Sequence, residues 1–277
     1  MQGKIAVITG ATSGLGAAAA EKLARQGARL IIVARDSVRA EATLAAVRQA
    51  GPGQAHRAVL GDLSLLAEMT RVGAEIAAAE PNIDLLVNNA GAIFSRREET
   101  ADGLERSFAT NHMSYFVLTN ALLPALKATP GARIVSTASG AHQMGRVDFD
   151  DLQIKRGYTT FGAYGASKLC NILFTRELAR RLAGSGVTAN CHHPGFVATR
   201  FAANNGMLAQ LAMTIGSPLA LSPEKGARTL LYLATSPEVA HISGRYFVRC
   251  KPAEPSAAAR DDAAAARLWA ESEKIAG

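Results

Sequence analysis

Short β-branched runs alternate with longer segments of helical period through the first two-thirds of the chain. Ile5–Thr9, Arg29–Ala34, Ala55–Leu60, Leu85–Asn88 and Arg133–Thr137 are apolar in runs rather than at every second position. Strands of that kind are buried on both faces, as in a parallel sheet covered by helices above and below. Between them lie Leu15–Gln26, Ser37–Ala50, Leu65–Ala79, Leu104–Ala128 and Ala163–Ala183, where apolar residues recur three to four apart. Val187–Cys191 and Tyr246–Arg249 supply a sixth and a seventh strand. The pattern predicts an α/β protein: one doubly wound, mostly parallel seven-stranded sheet with helices on both faces, with residues 1–277 in a single domain.

Two stretches break the rhythm. His142–Gly162 is long and polar, and Phe196–Pro223 is rich in Ala, Leu and Met with Gly and Pro at its edges. Insertions of this length carry function more often than core, so 196–223 is expected to be a lid over a substrate. The tail, 255–277, is Ala-rich and is expected to end in a helix, Ala257–Ile275.

Composition removes several classes. The net charge is +7, but Lys and Arg are scattered, with no run longer than two, so a nucleic-acid partner is not expected. Cys170, Cys191 and Cys250 have no metal-like spacing and read as reduced thiols in a cytoplasmic protein. His112, His142, His192 and His193 form no ligand set, and no metal is expected. No signal peptide and no membrane anchor are expected, and no apolar stretch reaches the ~18–20 residues that a spanning helix needs.

The first candidate for chemistry follows the first strand. Thr9-Gly10-Ala11-Thr12-Ser13-Gly14-Leu15-Gly16 turns into the first helix. Gly10 permits the turn, Gly14 lets backbone approach a pyrophosphate and Gly16 allows close packing, while free N–H groups and the helix dipole meet the anion. The spacing is Gly-x3-Gly-x-Gly. At the end of the second strand an acid would select NAD and an arginine would pair with the 2′-phosphate of NADP. Ala34 stands at the acid's position and Arg35 follows, with Arg39 one helical turn on, so the expected cofactor is NADP(H). Asp36 opposes that choice unless its carboxylate points away.

These residues, with Asp62-Leu63 after the third strand, Asn88-Asn89-Ala90-Gly91 after the fourth and Tyr164-x3-Lys168, resemble the short-chain dehydrogenase/reductases, Rossmann-type enzymes acting on CH–OH groups. Asn111-His112, Ser139-x-x-His142, His193-Pro194-Gly195 and Arg267-Leu268-Trp269 are similar to the retinol dehydrogenase branch, which includes the WW-domain oxidoreductase. The resemblance implies cofactor contacts from Gly10, Ser13, Gly14, Leu15, Gly16, Arg35, Asp62, Leu63, Asn89, Ala90, Gly91, Tyr164, Lys168, Pro194, Gly195, Val197 and Thr199. It implies catalysis by Tyr164, Lys168, Ser139 and Asn111, the last anchoring a water that joins the lysine to solvent. Ser136 competes with Ser139, and alignment through Arg133-Ile134-Val135 favours Ser139. Ser13 departs from the pattern, since many NADP-using relatives carry Arg or Lys there.

Tyr164 and Lys168 share one helix face, and a nearby ammonium, together with an oxidised nicotinamide, lowers a phenol's pKa from its ordinary value of about 10. The expected reaction is hydride transfer between NADP(H) and an alcohol or carbonyl carbon, in the sense of reducing a bulky hydrophobic ketone or aldehyde. The rival is a nucleotide-sensing regulator that keeps the fold without chemistry. A homo-oligomer, dimer or tetramer, stays open.

Overall fold

In the computed structural model, which describes residues 1–195 and 221–277, the strand order is β3-β2-β1-β4-β5-β6-β7-β8. These strands are β1 (Ile5–Thr9), β2 (Arg29–Ala34), β3 (Arg57–Leu60), β4 (Leu85–Asn88), β5 (Arg133–Thr137), β6 (Thr188–His193), β7 (Tyr246–Val248) and β8 (Lys251–Ala253). All neighbours are parallel except β7 and β8. The doubly wound sheet is as expected, with one correction: among the described residues it has eight strands, not seven. The extra strand folds back after a two-residue turn in which Arg249 and Cys250 both take left-handed backbone, φ 50° and 61°. Pro252 and flanking polar residues hide it from a pattern search.

The helices are α1 (Gly14–Arg25), α2 (Ser37–Ala50), α3 (Leu66–Ala79), α4 (Arg106–Phe108), α5 (Ser114–Lys127), α6 (Thr160–Arg181), α7 (Pro223–Thr235) and α8 (Asp262–Ala276). Strand side chains alternate between two cores. Val7, Ile31, Leu86 and Ile134 meet α3, α5, α6 and α8, while Ala6, Ile8, Leu30 and Val135 meet α1, α2 and α7. This two-sided burial is why the strands read as unbroken apolar runs.

Three other differences concern helices. The expected helix over 104–128 is interrupted: Glu105 caps α4 by accepting from the Ser107 and Phe108 amides, and a π-helical turn, Ala109–Met113, separates α4 from α5. Such turns concentrate at functional sites. The tail helix is divided at Asp261, whose side chain accepts from the Ala264 amide and starts α8 after a short 3-10 turn. It docks on α6 through Trp269, stacked on Phe174 at 5.8 Å and edge-on to Phe116 at 4.9 Å. Thirdly, α7 was not predicted. Ser222 caps it and Pro223 opens it, so the expected lid of 196–223 ends at a helix start, and its body, 196–220, lies outside the described residues. No described helix is long and apolar enough to cross a membrane.

Candidate active site

The strand order reverses between β1 and β4, and crevices at such switch points, beyond the carboxyl ends of the strands, are where ligands bind. Here the crevice is a cleft of about 1110 Å³. One end is a phosphate cradle. Gly10 turns at φ +68°, and a Cβ on Gly16 would stand 2.2 Å from the Gly10 carbonyl oxygen, so the loop closes on the helix only with glycine at both places. Ser13 heads α1 without a side-chain capping bond, and the first turn has no acid. The exposed N-terminal amides and helix dipole therefore face the cleft uncompensated.

The cradle is braced from β4. The Thr9 hydroxyl accepts from the Asn89 and Ala90 amides, each at 2.9 Å. The Asn89 side-chain amide donates to the Thr9 and Gly10 carbonyls, each at 3.2 Å. On its other side Asn89 Oδ1 accepts from the Thr137 hydroxyl at 3.2 Å. The asparagine thus joins the ends of three strands.

The far wall carries Arg35, Asp36 and Arg39. The Asp36 carboxylate caps α2, accepting from the Arg39 amide at 2.8 Å. Arg35 is half exposed and lies 3.9 Å from Asp62, while Arg39 donates to the Thr12 carbonyl at 3.1 Å beside the glycine loop. The open helix N-terminus, the glycine cradle and these two guanidinium groups fit a dinucleotide carrying phosphate charge.

At the other end stand Ser139, Tyr164 and Lys168. Ser139 lies two residues past β5 and caps a 3-10 turn, Gly140–Gln143. Its hydroxyl is hydrogen-bonded with that of Tyr164. Lys168 is one turn along α6, buried, and its Nζ donates to the Thr137 carbonyl at 3.0 Å. The same ammonium lies 5.7 Å from the ring centres of Tyr164 and Tyr115. Burial pushes the Tyr164 phenol up to about 12, against a smaller lowering by Ser139, and pushes Lys168 down to about 7. The expected lowering of the tyrosine is therefore not seen in the cofactor-free protein, because desolvation outweighs the Ser139 hydrogen bond.

The cleft brings together Gly10, Ser13, Leu15, Gly16, Arg35, Asp62, Leu63, Asn89, Ala90, Gly91, Ser139, Tyr164, Lys168, Pro194 and Gly195. Two expected residues do not line it. Gly14, at φ +54°, shapes the start of α1 from behind. Asn111 is wholly buried in the π turn, where Oδ1 accepts from the Ala92 amide at 2.8 Å and both Nδ2 protons are engaged, by the Ala92 carbonyl and the Ser167 hydroxyl, each at 2.9 Å. Val197 and Thr199 lie outside the described residues. Ser136 is buried in β5 and does not reach the cleft.

Sequence reasoning missed Thr9 and Thr137 as site residues, although both sit at strand ends facing the switch point. It also missed the apolar mouth: Met144 and Phe161 are 62% and 63% exposed and line the cleft with Ile93 and Phe94. No group of three His, Cys, Asp or Glu side chains suited to a metal occurs among the described residues.

A model of the short chain dehydrogenase family matches residues 4–207. Retinol dehydrogenase 14 of Mus musculus is 42% identical over 100% of this chain and 87% of its own length. Among solved structures, an uncharacterized protein from Mycobacterium paratuberculosis superposes with a TM-score of 0.81 at 35% identity, covering 99% of this chain and 94% of its own. A short chain dehydrogenase from Burkholderia cenocepacia in complex with NADP gives 0.70 at 28% identity, covering 89% and 96%. This chain therefore belongs to the short-chain dehydrogenases, oxidoreductases that use NAD(P), in their retinol dehydrogenase-like branch.

Proposed function

We propose that the protein is an NADP(H)-dependent reductase of bulky hydrophobic aldehydes or ketones. The observation that carries this reading is the hydrogen-bonded Ser139–Tyr164 pair at the mouth of a dinucleotide-shaped cleft, with Lys168 one turn behind it. The cofactor's contribution, when bound, is the hydride. Ser139 and Tyr164 hold the substrate oxygen, and Tyr164, kept protonated by burial, gives it a proton. A phenol that is neutral at rest suits proton donation, hence the reductive direction. Lys168 sits where it can recharge the phenol and bind the cofactor's ribose. Asn111, bonded to Ala92 and Ser167, holds the exit of β4 against α6 so that Lys168 keeps its place.

The preference for NADP(H) rests on Arg35 and Arg39 facing the cleft, while the Asp36 carboxylate beside them is engaged by the Arg39 amide. The preference for apolar substrates rests on Met144, Phe161, Ile93 and Phe94 at the mouth. A homologous series of aliphatic and polycyclic carbonyls, assayed by NADPH oxidation, tests the whole reading. Each methylene buried should raise kcat/KM by about 0.8 kcal/mol until the pocket fills. No NADPH oxidation with any carbonyl would refute the enzyme, and a flat or falling series would refute the substrate class.

A further inference from the structure

Ser139 is held through its own peptide bond. Its carbonyl accepts from His142 Nδ1 at 2.7 Å, and the Gly140 amide, the other half of the same planar unit, donates to His193 Nδ1 at 3.1 Å. The hydrogen bonds fix both tautomers. His142 Nε2 accepts from the Ser256 amide at 3.1 Å, so its proton is on Nδ1. His193 Nδ1 is an acceptor, so its proton is on Nε2. His142 is 1% exposed and packs edge-on to Tyr246 at 5.2 Å; His193 ends β6 and lines the cleft.

Because the peptide plane is gripped at both ends, the direction of the Ser139 side chain is set from behind the reacting face. Ser139 Oγ also accepts from the Ala141 amide at 3.2 Å, so the hydroxyl turns with the plane. The grip requires neutral rings. A second proton on His193 would set an N–H against the Gly140 N–H, and one on His142 would set an N–H against that of Ser256. Burial holds both below the ordinary 6.5, and for His193 the neighbouring His142 adds to the effect. The titratable groups facing the pair are each other, His192 beside it on β6, Tyr246 of β7, and Tyr164 of α6 across Ser139. Among the described residues no carboxylate acts on either ring.

We propose that His142 and His193 are positioning residues that clamp the Ser139–Gly140 peptide, tie it to the C-terminal segment at Ser256, and release the serine when either ring is protonated. The functional consequence rests on the reading that Ser139 holds a carbonyl oxygen; the clamp itself does not.

Two measurements test it. In cofactor-free protein labelled with ¹⁵N at histidine, long-range NMR correlations should find His142 protonated on Nδ1 and His193 on Nε2 at neutral pH. The Gly140 amide should shift as the two rings titrate. The opposite tautomer on either ring, or a Gly140 amide indifferent to their titration, overturns the clamp whatever the activity. In turnover, wild-type kcat/KM should fall as pH drops below the imidazole range, with NADPH affinity steady. His142→Leu and His193→Leu should lower kcat/KM by roughly tenfold to a hundredfold, as misplacement of an orienting group does. His142→Asn and His193→Asn keep, near Nδ1, a donor for Ser139 and an acceptor for Gly140 respectively, yet do not titrate. They should recover part of that loss, their double variant should flatten the acid limb, and they carry the test if the leucine variants do not fold. A double asparagine variant with the wild-type acid limb, or leucine variants with wild-type kcat/KM, refute the role. A wild type inert toward every carbonyl refutes the reductase instead and leaves the NMR result to judge the clamp.

Discussion

Lowering the pH from 7 to 5 should strip a large part of the stability, and two histidines set the amount. His112 is enclosed by Phe108, Phe116 and Phe174, with ring centres 5.1, 6.4 and 6.1 Å away. Its Nε2 donates to Ser272 Oγ at 2.8 Å, because that hydroxyl gives its own proton to the Leu268 carbonyl, and Nδ1 has no partner. His192 lies under the Thr137 hydroxyl with Nδ1 likewise unpartnered. Burial drives both down to about 3, from an ordinary value of 6.5. In the unfolded chain they take up protons near pH 6.5 while the native rings stay neutral. The native advantage is therefore complete above pH 6.5 and is lost as pH falls toward 3. Each ring contributes about 1.4 kcal/mol per pH unit, so the pair should remove about 4 kcal/mol between pH 6.5 and 5. His142 and His193 act in the same direction. Carboxylates held low by arginines, such as Glu98, begin to matter only nearer their ordinary 4.5. Lys168, at about 7, completes its proton uptake in the folded state at the top of this window and adds only a small loss in the same direction. Against a total of roughly 5–15 kcal/mol, the loss is easily measured by urea unfolding at pH 7, 6 and 5. His112→Leu should cut the slope by about 1.4 kcal/mol per unit. Stability constant to within ~1 kcal/mol from pH 7 to 5, or an unchanged slope in His112→Leu, would refute the reasoning.

Tyr164→Phe removes the proton donor but no part of the phosphate cradle; turnover should fall by roughly 10²–10⁴ while NADPH affinity by fluorescence titration stays within a few fold. Arg35→Ala should weaken NADPH by about 1.5–3 kcal/mol and NADH much less, for one lost charge-assisted bond; equal losses would make the arginine structural. At the β7–β8 turn, Cys250→Gly relieves left-handed backbone at φ 61° and should raise Tm, with Arg249→Asn adding a smaller gain. A lower Tm in Cys250→Gly would mean that the thiol's contact with the Thr229 hydroxyl, 3.9 Å away, outweighs the strain.

What the chain determines by itself is what depends on neighbours in sequence. Four strands are fixed at Ile5–Thr9, Arg29–Ala34, Leu85–Asn88 and Arg133–Thr137 because two-sided burial leaves an unbroken apolar run, whereas the edge strand β3 begins at Arg57 rather than at the expected Ala55. The glycine loop is legible because only glycine fits its turn and its approach to the Gly10 carbonyl. Tyr164 and Lys168 announce themselves by a four-residue spacing that any helix puts on one face. The local pattern left other roles open. The Asp36 carboxylate, which the sequence sets against an NADP phosphate unless it points away, accepts from the Arg39 amide at the start of α2, and Asn111 joins Ala92 to Ser167 across the fold. The Tyr164 phenol rises instead of falling because burial, a property of the packed protein, outweighs the hydrogen bond from Ser139. The grip of His142 and His193 on one peptide joins residues 51 positions apart, and Ser256 reaches it from 114 positions away. Local sequence sets backbone preference and burial periodicity, but hydrogen-bond partners and the dielectric around a charge exist only once the layers have packed, so the tertiary structure alone decided them.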